Sequence, residues 1–234
     1  MAEQEQADEG AGTDKRTSAR GGGRRTDLSK ARLTLARRFA ESRATIPHLE
    51  LSESVGLSRL RAEGPDLVAA IVALLGRTLV EHPRLNAAWR DGGIEEYGRR
   101  NVAVVVTTPD GSAAATVFDA DLKDPASVGE ELAELSEAAA VGGLRAPQTA
   151  GATFTVHPPV GIHSLAAAVT GGQAASLAIG EPEGRAVPRR GESTMVEVTE
   201  LSLSCDGRVV LPAEAGAFLS DLRGRIEGRG GSGL

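Results

Sequence analysis

The sequence predicts an α/β fold in which helices pack on a mixed β-sheet to form an open sandwich. Stretches with apolar residues at helical spacing alternate along the chain with stretches in which every second residue is apolar. The 234 residues are 41% apolar and 25% charged, an ordinary composition for a chain with one core. The longest apolar run, residues 67–75, is too short to cross a bilayer. These observations indicate a globular domain.

Four helices are predicted from apolar periodicity and from the residues at their starts. The first begins after Asp27 or Ser29, either of which can accept a hydrogen bond as the N-cap. Its apolar face consists of Leu28, Ala31, Leu35 and Phe39. The other three begin at prolines, which suit the first helical turn, namely Pro65, Pro125 and Pro212. The helix after Pro65 is expected to end at His82 and Pro83.

Seven strands are predicted from period-two alternation and from β-branched residues. They cover residues 46–55, 94–97, 102–106, 114–118, 153–156, 175–179 and 195–205. In the last strand, Leu201, Leu203 and Cys205 alternate with Ser202, Ser204 and Asp206. Because side chains alternate across a strand, the apolar set is expected to face inward and the polar set outward.

The two ends of the chain are predicted to be flexible tails, at residues 1–26 and 228–234. Both are rich in glycine and polar residues and lack apolar periodicity. They therefore bury too little apolar surface to offset the entropy lost on ordering. One folded domain is expected between them, over residues 27–227.

Charge and composition argue against several classes of function. A net charge of −6 and 3% aromatic residues argue against nucleic-acid binding, which needs a basic surface and stacking side chains. The single cysteine, Cys205, excludes an intramolecular disulfide, and its leucine neighbours indicate a buried thiol. No metal site and no membrane partner are predicted. Because no apolar segment follows Met1, a cytoplasmic location is expected.

Five segments carry motifs in a fixed order. They are LARRFAESRATIPH at residues 35–48, HPRLNA at 82–87, NVAVVVTTPDG at 101–111, GATFTV at 151–156 and DGRVVLPAEAGAFL at 206–219. Together they resemble the catalytic domain of the dihydrolipoyl acyltransferases of 2-oxo acid dehydrogenase complexes. The resemblance implies that residues 27–227 form an acyltransferase-like catalytic domain. It also implies a chloramphenicol-acetyltransferase-like two-layer sandwich with helices on one face of a mixed sheet, and a homotrimer that acts at subunit interfaces.

Two departures from the family pattern define the candidate catalytic residues. Where the family has its catalytic histidine, this chain has Gly207, and a later family Asp or Asn is Leu211. Conversely, His157 occupies the slot of a family serine that stabilises the oxyanion. An imidazole can accept a proton and later return it, so we hypothesise that His157 replaces the lost base. Asp206 or Arg208 is expected to orient it or to stabilise charge across a subunit interface.

Other interpretations of these residues stay open. His163, in the same loop, is the alternative base, and His157 could instead simply end a strand before Pro158. Asp206 and Arg208 could form an architectural ion pair. Substrate-binding positions suggested by the resemblance and by the neighbourhood of His157 are His48, Asn101, Thr155 and His163.

The resemblance implies acyl transfer without a bound cofactor, with acetyl-CoA or another acyl-CoA as co-substrate. With only 26 residues before the domain, we expect a stand-alone enzyme that acetylates a small alcohol. The layout is similar to that of tetronate O-acetyltransferases of antibiotic biosynthesis, which makes a tetronate one candidate acceptor. The alternative is a non-catalytic trimeric scaffold or regulatory member of the family, because the usual base is absent.

Overall fold

The computed structural model describes residues 26–64, 66–189 and 192–229. The helices are α1 (Lys30–Thr45), α2 (Ser58–Glu63), α3 (Leu67–Glu81), α4 (Pro125–Ala140) and α5 (Pro212–Glu227). The strands are β1 (His48–Gly56), β2 (Ala87–Arg90), β3 (Gly93–Glu96), β4 (Val102–Thr108), β5 (Gly111–Val117), β6 (Phe154–His157), β7 (Ala175–Ile179), β8 (Glu183–Arg189) and β9 (Glu192–Asp206). The predicted tails lie almost entirely outside the described residues, as does Pro65.

Seven of these strands form one mixed sheet in the order β1-β9-β7-β6-β4-β5, with β8 paired to β9. β4, β6 and β7 run parallel to one another, whereas β1, β5, β8 and β9 pair antiparallel to their neighbours. β2 and β3 form a separate hairpin. The 15-residue β9 pairs with β1 along much of its length and with β8 and β7 in succession. The predicted fold class, a mixed sheet with helices on one face, is confirmed.

The two faces of the sheet differ in chemistry. Leu201, Leu203 and Cys205 of β9 belong to the hydrophobic core beneath the helices, as the alternation predicts. The opposite set is polar but is buried as well, with Ser204 and Asp206 only 1% and 2% exposed. The segment 158–174 covers this side, which we call the polar face. The prediction that this set faces away from the core is therefore confirmed, but these side chains are not exposed to solvent.

The helical layer follows from composition and capping. Ten of the 15 residues of α3 are buried, which agrees with its apolar sequence. Asp66 caps it by accepting a hydrogen bond from the Ala69 N–H. Asp124 caps α4 in the same way, and Ser29, rather than Asp27, caps α1. Among the described residues, no helix is both long and apolar enough to span a membrane.

Three short elements were missed in the sequence, namely α2, β2 and β8. The β2–β3 hairpin turns at Asp91 and Gly92, which both have positive φ, and Asp-Gly is a known signal for this tight turn. Its strands are four residues long and largely exposed, so apolar alternation is too brief to reveal them. The predicted apolar face of α1 is largely exposed in the single chain, including Leu28 and Phe39 at 44% and 47%.

Two glycines in helices should respond oppositely to alanine. A Cβ at Gly76 of α3 would lie 2.6 Å from backbone atoms of Ala120 and Asp121, so Gly76→Ala should lower the free energy of unfolding by about 1–3 kcal/mol. Gly216 of α5 has open space around a Cβ, and Gly216→Ala should raise it by up to about 1 kcal/mol. Denaturant unfolding measures both variants, and equal effects would contradict the close packing of α3.

Candidate active site

The strand register arranges four of the predicted site residues on the polar face. Thr155 of β6 aligns through Ser176 with Ser204 of β9, and His48 of β1 aligns with Asp206. His157 ends β6 and aligns through Ala178 with Ser202. These four residues thus share one face of the sheet, although they lie at different positions along the strands.

Asp206 and Arg208 form a closed pair at the end of β9. The Arg208 Nε donates to Asp206 Oδ1 at 2.9 Å, Nη2 donates to Oδ2 at 2.6 Å, and the Arg208 backbone N–H donates to Oδ1. These hydrogen bonds raise the pKa of Arg208. The guanidinium carbon also lies 5.4 Å from the centroid of the Trp89 ring, a cation–π contact. Trp89 was not singled out in the sequence, because the hairpin that carries it was missed.

His48 is committed to backbone groups through both ring nitrogens. Nδ1 is 2.8 Å from the Ile46 carbonyl, and Nε2 is 3.1 Å from the Val169 N–H. The pattern requires that Nδ1 carries the proton and Nε2 accepts. Ser42 of α1 donates to the Val169 carbonyl at 2.6 Å. His48 and Ser42 therefore fasten the covering segment 158–174 to β1 and α1.

Asn101 and Thr155 are likewise held by internal hydrogen bonds. Asn101 Nδ2 donates to the Gly151 carbonyl, and its Oδ1 accepts from the Asp119 N–H. Thr155 Oγ1 donates to Gln173 Oε1 at 2.7 Å. Both side chains position loops at the polar face, and Asn101 also lines a cleft there.

His157 differs from the other site residues because its Nε2 is buried without a hydrogen-bond partner in the described structure. Burial lowers the pKa of His157 below its usual 6.5, which favours the neutral ring at pH 7. The Asp206 N–H bonds to Ala174, whereas His157 aligns with Ala178, about 13 Å farther along the strand direction. Within one chain, Asp206 and Arg208 therefore cannot orient His157.

His163 is the more exposed histidine. Its side chain is 52% accessible, and Nδ1 lies 3.6 Å from Glu183 Oε2. Its backbone passes so close to Gly180 that any Cβ there would collide with the His163 carbonyl. The loop is thus held in place while the imidazole points to solvent beside a carboxylate.

Gly207 and Leu211, which stand where the family has its catalytic histidine and a later Asp or Asn, are both exposed. The Gly207 N–H donates to the Pro47 carbonyl at 2.8 Å, and a Cβ at Gly207 would lie 3.1 Å from the same oxygen. Leu211 is 62% exposed. Neither offers a group that can move a proton. Cys205 offers none either, because burial raises the pKa of its thiol to about 12. Among the described residues, no three His, Cys, Asp or Glu side chains are grouped to hold a metal ion.

Comparison with known families assigns the chain. The model of the 2-oxoacid dehydrogenases acyltransferase (catalytic domain) family matches residues 21–230. The chain belongs to this family. It is 33% identical over 221 residues to the dihydrolipoyllysine-residue acetyltransferase component 3 of the mitochondrial pyruvate dehydrogenase complex of Arabidopsis thaliana, covering 85% of this chain and 40% of the relative. The corresponding component of Caenorhabditis elegans is 29% identical, with 86% and 44% covered.

Solved structures confirm the architecture. A probable dihydrolipoamide acetyltransferase from Listeria monocytogenes superposes with a TM-score of 0.83 at 23% identity, covering 91% of this chain and 98% of that one. The dihydrolipoamide acetyltransferase of Azotobacter vinelandii gives 0.85 at 21% identity, with 91% and 94% covered. A chloramphenicol acetyltransferase gives 0.52 at 14% identity, with 82% and 93% covered. The expected family and fold are confirmed, and the chain carries an acyltransferase catalytic domain that spans about two fifths of these plant and nematode relatives.

Removing the His48 ring should loosen the covering segment. In His48→Ala the buried Val169 N–H loses its acceptor, and its hydrogen exchange should accelerate about tenfold or more, the equivalent of about 1.4 kcal/mol. Exchange measured by mass spectrometry over residues 158–174 tests this. Glu63→Gln removes only an exposed ion pair with Arg59, which does not contact this segment, and should change exchange by less than about twofold. Equal exchange in the two variants would contradict the fastening role.

Proposed function

We propose that this chain transfers an acetyl group between coenzyme A and a thiol or hydroxyl acceptor, with His157 as the general base. The observation that carries the proposal is the buried, unpartnered Nε2 of His157 at the end of β6. A polar atom buried without a partner is costly, and a substrate proton or hydroxyl at this position would relieve that cost. A neutral imidazole there is also the protonation state that a base requires.

The reaction follows from this protonation state. Nε2 accepts the proton of the acceptor S–H or O–H while the sulfur or oxygen attacks the carbonyl carbon of acetyl-CoA. A tetrahedral intermediate forms, the bond from that carbon to the coenzyme A sulfur breaks, and the acetyl group stays on the acceptor. The imidazolium then returns its proton to the departing thiolate, which restores the neutral ring. No other reactant is needed.

We further propose that the active unit is a homotrimer or a larger assembly. Asp206 and Arg208 lie too far from His157 in one chain, so their expected role requires a second copy. Exposed apolar residues on α1, such as Leu33 and Phe39, offer surface that such a contact would cover. One structure of similar fold is the cubic core of a pyruvate dehydrogenase multienzyme complex, with a TM-score of 0.84 at 22% identity and 88% of this chain and 92% of that one covered.

The acceptor is proposed from the relatives. Their names specify a dihydrolipoyllysine residue of a pyruvate dehydrogenase complex, which favours a dihydrolipoyl thiol as acceptor and acetyl as the group transferred. The small alcohol, the tetronate acceptor with its place in antibiotic biosynthesis, the stand-alone organisation and the cytoplasmic location stay predictions from the sequence.

A non-catalytic scaffold is the second candidate function. It is favoured by Gly207, where a Cβ would lie tightly against the Pro47 carbonyl, and by the mutual neutralisation of Asp206 and Arg208. Both features suit a chain that has kept its framework after losing the usual base. This candidate predicts no acetyl transfer by the wild-type protein.

Acetyl transfer by the histidine variants is the deciding experiment. His157→Gln should lower kcat by about 10²–10⁴-fold, because the amide cannot accept and return the proton. His163→Gln, the control from the loop that follows β6, should stay within about twofold. Transfer from acetyl-CoA is followed with dihydrolipoamide and with a small alcohol as acceptors. Undiminished transfer by His157→Gln would refute the base, and inactive wild-type protein with both acceptors would favour the scaffold.

The pH dependence should carry the same signature. Since burial disfavours the imidazolium, kcat/KM should fall only below pH 6.5 in the wild type, and this limb should be absent from His157→Gln.

The free energy of unfolding should also fall as the pH is lowered. The stabilising contribution of neutral His157 is complete above pH 6.5 and is lost as the pH falls, because the unfolded chain takes up the proton first. Melting temperatures of both proteins between about pH 7.5 and pH 5 test this, and parallel curves would contradict it.

A further inference from the structure

The cleft that Asn101 lines lies beside the polar face, at the start of β6. Its volume is about 500 Å³, within the range of small-molecule sites. It lies between the hairpin β2–β3, the residues before β4, the loop before β6 and the end of the covering segment. Its lining includes Arg90, Tyr97, Arg99, Thr153 and several glycines.

The charge of this lining is positive although the chain as a whole carries −6. Arg90 and Arg99 contribute two guanidinium groups, and no carboxylate lines the cleft. A concave surface of one sign concentrates counter-ions. Another cleft, of about 550 Å³, has the opposite character, since Glu63, Asp66 and Asp124 line it. An anionic ligand would therefore bind the arginine-lined cleft in preference to the acidic one, although the two are of similar size.

Glycines keep the cleft open. Gly98, Gly171 and Gly172 line the cleft without a side chain, and a Cβ added at any of them would meet no atom within 4 Å. Tyr97 braces the walls, because its hydroxyl donates to the Gly172 carbonyl at 2.7 Å and accepts from Arg90 Nη2 at 3.4 Å. The shape is thus formed in advance of binding.

The ion pairs of the two arginines are weak enough for a ligand to displace them. Arg90 pairs with Glu95, and Arg99 Nε lies 3.3 Å from Asp119 Oδ1. The side chains of Arg90 and Arg99 are 58% and 69% exposed, so each ion pair is worth little. A phosphate can therefore recruit guanidinium donors from both pairs at small cost, and planar guanidinium groups suit phosphate oxygens.

We propose that this cleft binds the phosphate group of a small-molecule ligand through Arg90 and Arg99. The ligand class rests on the proposed function, because acyl-CoA carries phosphates at one end of a long arm and the thioester at the other. Thr153, at the cleft, and His157, at the opposite end of β6, are about 13 Å apart along the strand. A phosphate site and a base at the two ends of one strand would suit such a ligand.

Binding of adenosine 3′,5′-bisphosphate tests this site without any acyl transfer. Calorimetric titration measures affinity, and fluorescence of Trp89, the single tryptophan of the chain, reports binding near the hairpin. Arg90→Ala and Arg99→Ala should each weaken binding about tenfold or more. Arg84→Ala is the matched control, since Arg84 pairs with Glu96 of the same hairpin but does not line the cleft.

Inorganic phosphate is the second probe. Displacement of the bisphosphate by phosphate, with the same dependence on Arg90 and Arg99, would show that the phosphate group carries recognition. No binding, or equal affinity in the wild type and in both arginine variants, would overturn the proposal. His157→Gln should bind the bisphosphate normally. If the wild-type protein binds the bisphosphate but transfers no acetyl group, the proposed function fails and this site stands. If it transfers the acetyl group but does not bind the bisphosphate, this site fails and the proposed function stands.

Discussion

The two-residue alternation of β9 is the constraint on which the rest of the structure depends. Its 15 residues pair with three strands, so its register fixes which side chains of β1, β7 and β8 share each face. One face supplies leucines to the core, and the other supplies Ser202, Ser204 and Asp206 to the polar face. A shift of one residue would put the serines into the core. The candidate site exists because this register buries polar groups beneath a loop instead of leaving them in water.

Local sequence signals sufficed where an element is long and buried. The apolar run of α3, the prolines that begin α4 and α5 and the alternation of β9 each indicated the element correctly, because burial of one face dominates the free energy. The signals failed for α2 and β2, which are too short to show a period, and for β8, whose described side chains are exposed or half-buried. The periodicity of α1 indicated an apolar face, but it could not show that this face stays exposed in the single chain.

The residue types of the site could be predicted from the sequence, but the contacts between these residues could not. His157 was identified by its place after a strand motif, and its burial gives that choice physical content. Sequence spacing could not reveal that His48 bonds to Val169, 121 residues away, or that Trp89 stacks with Arg208. These contacts depend on the crossover order of the sheet. For the same reason, no motif indicated that Arg90 and Arg99 line one cleft.

The contact between Gly207 and Pro47 also limits how this chain can change over generations. Any side chain introduced at position 207 must displace the Pro47 carbonyl by a few tenths of an ångström, against a hydrogen bond that joins the turn to the residue before β1. Neighbouring substitutions of this kind do not act additively. A histidine introduced at position 207 would therefore be accommodated only together with a shift of the Pro47 carbonyl, which couples this turn to the residue before β1.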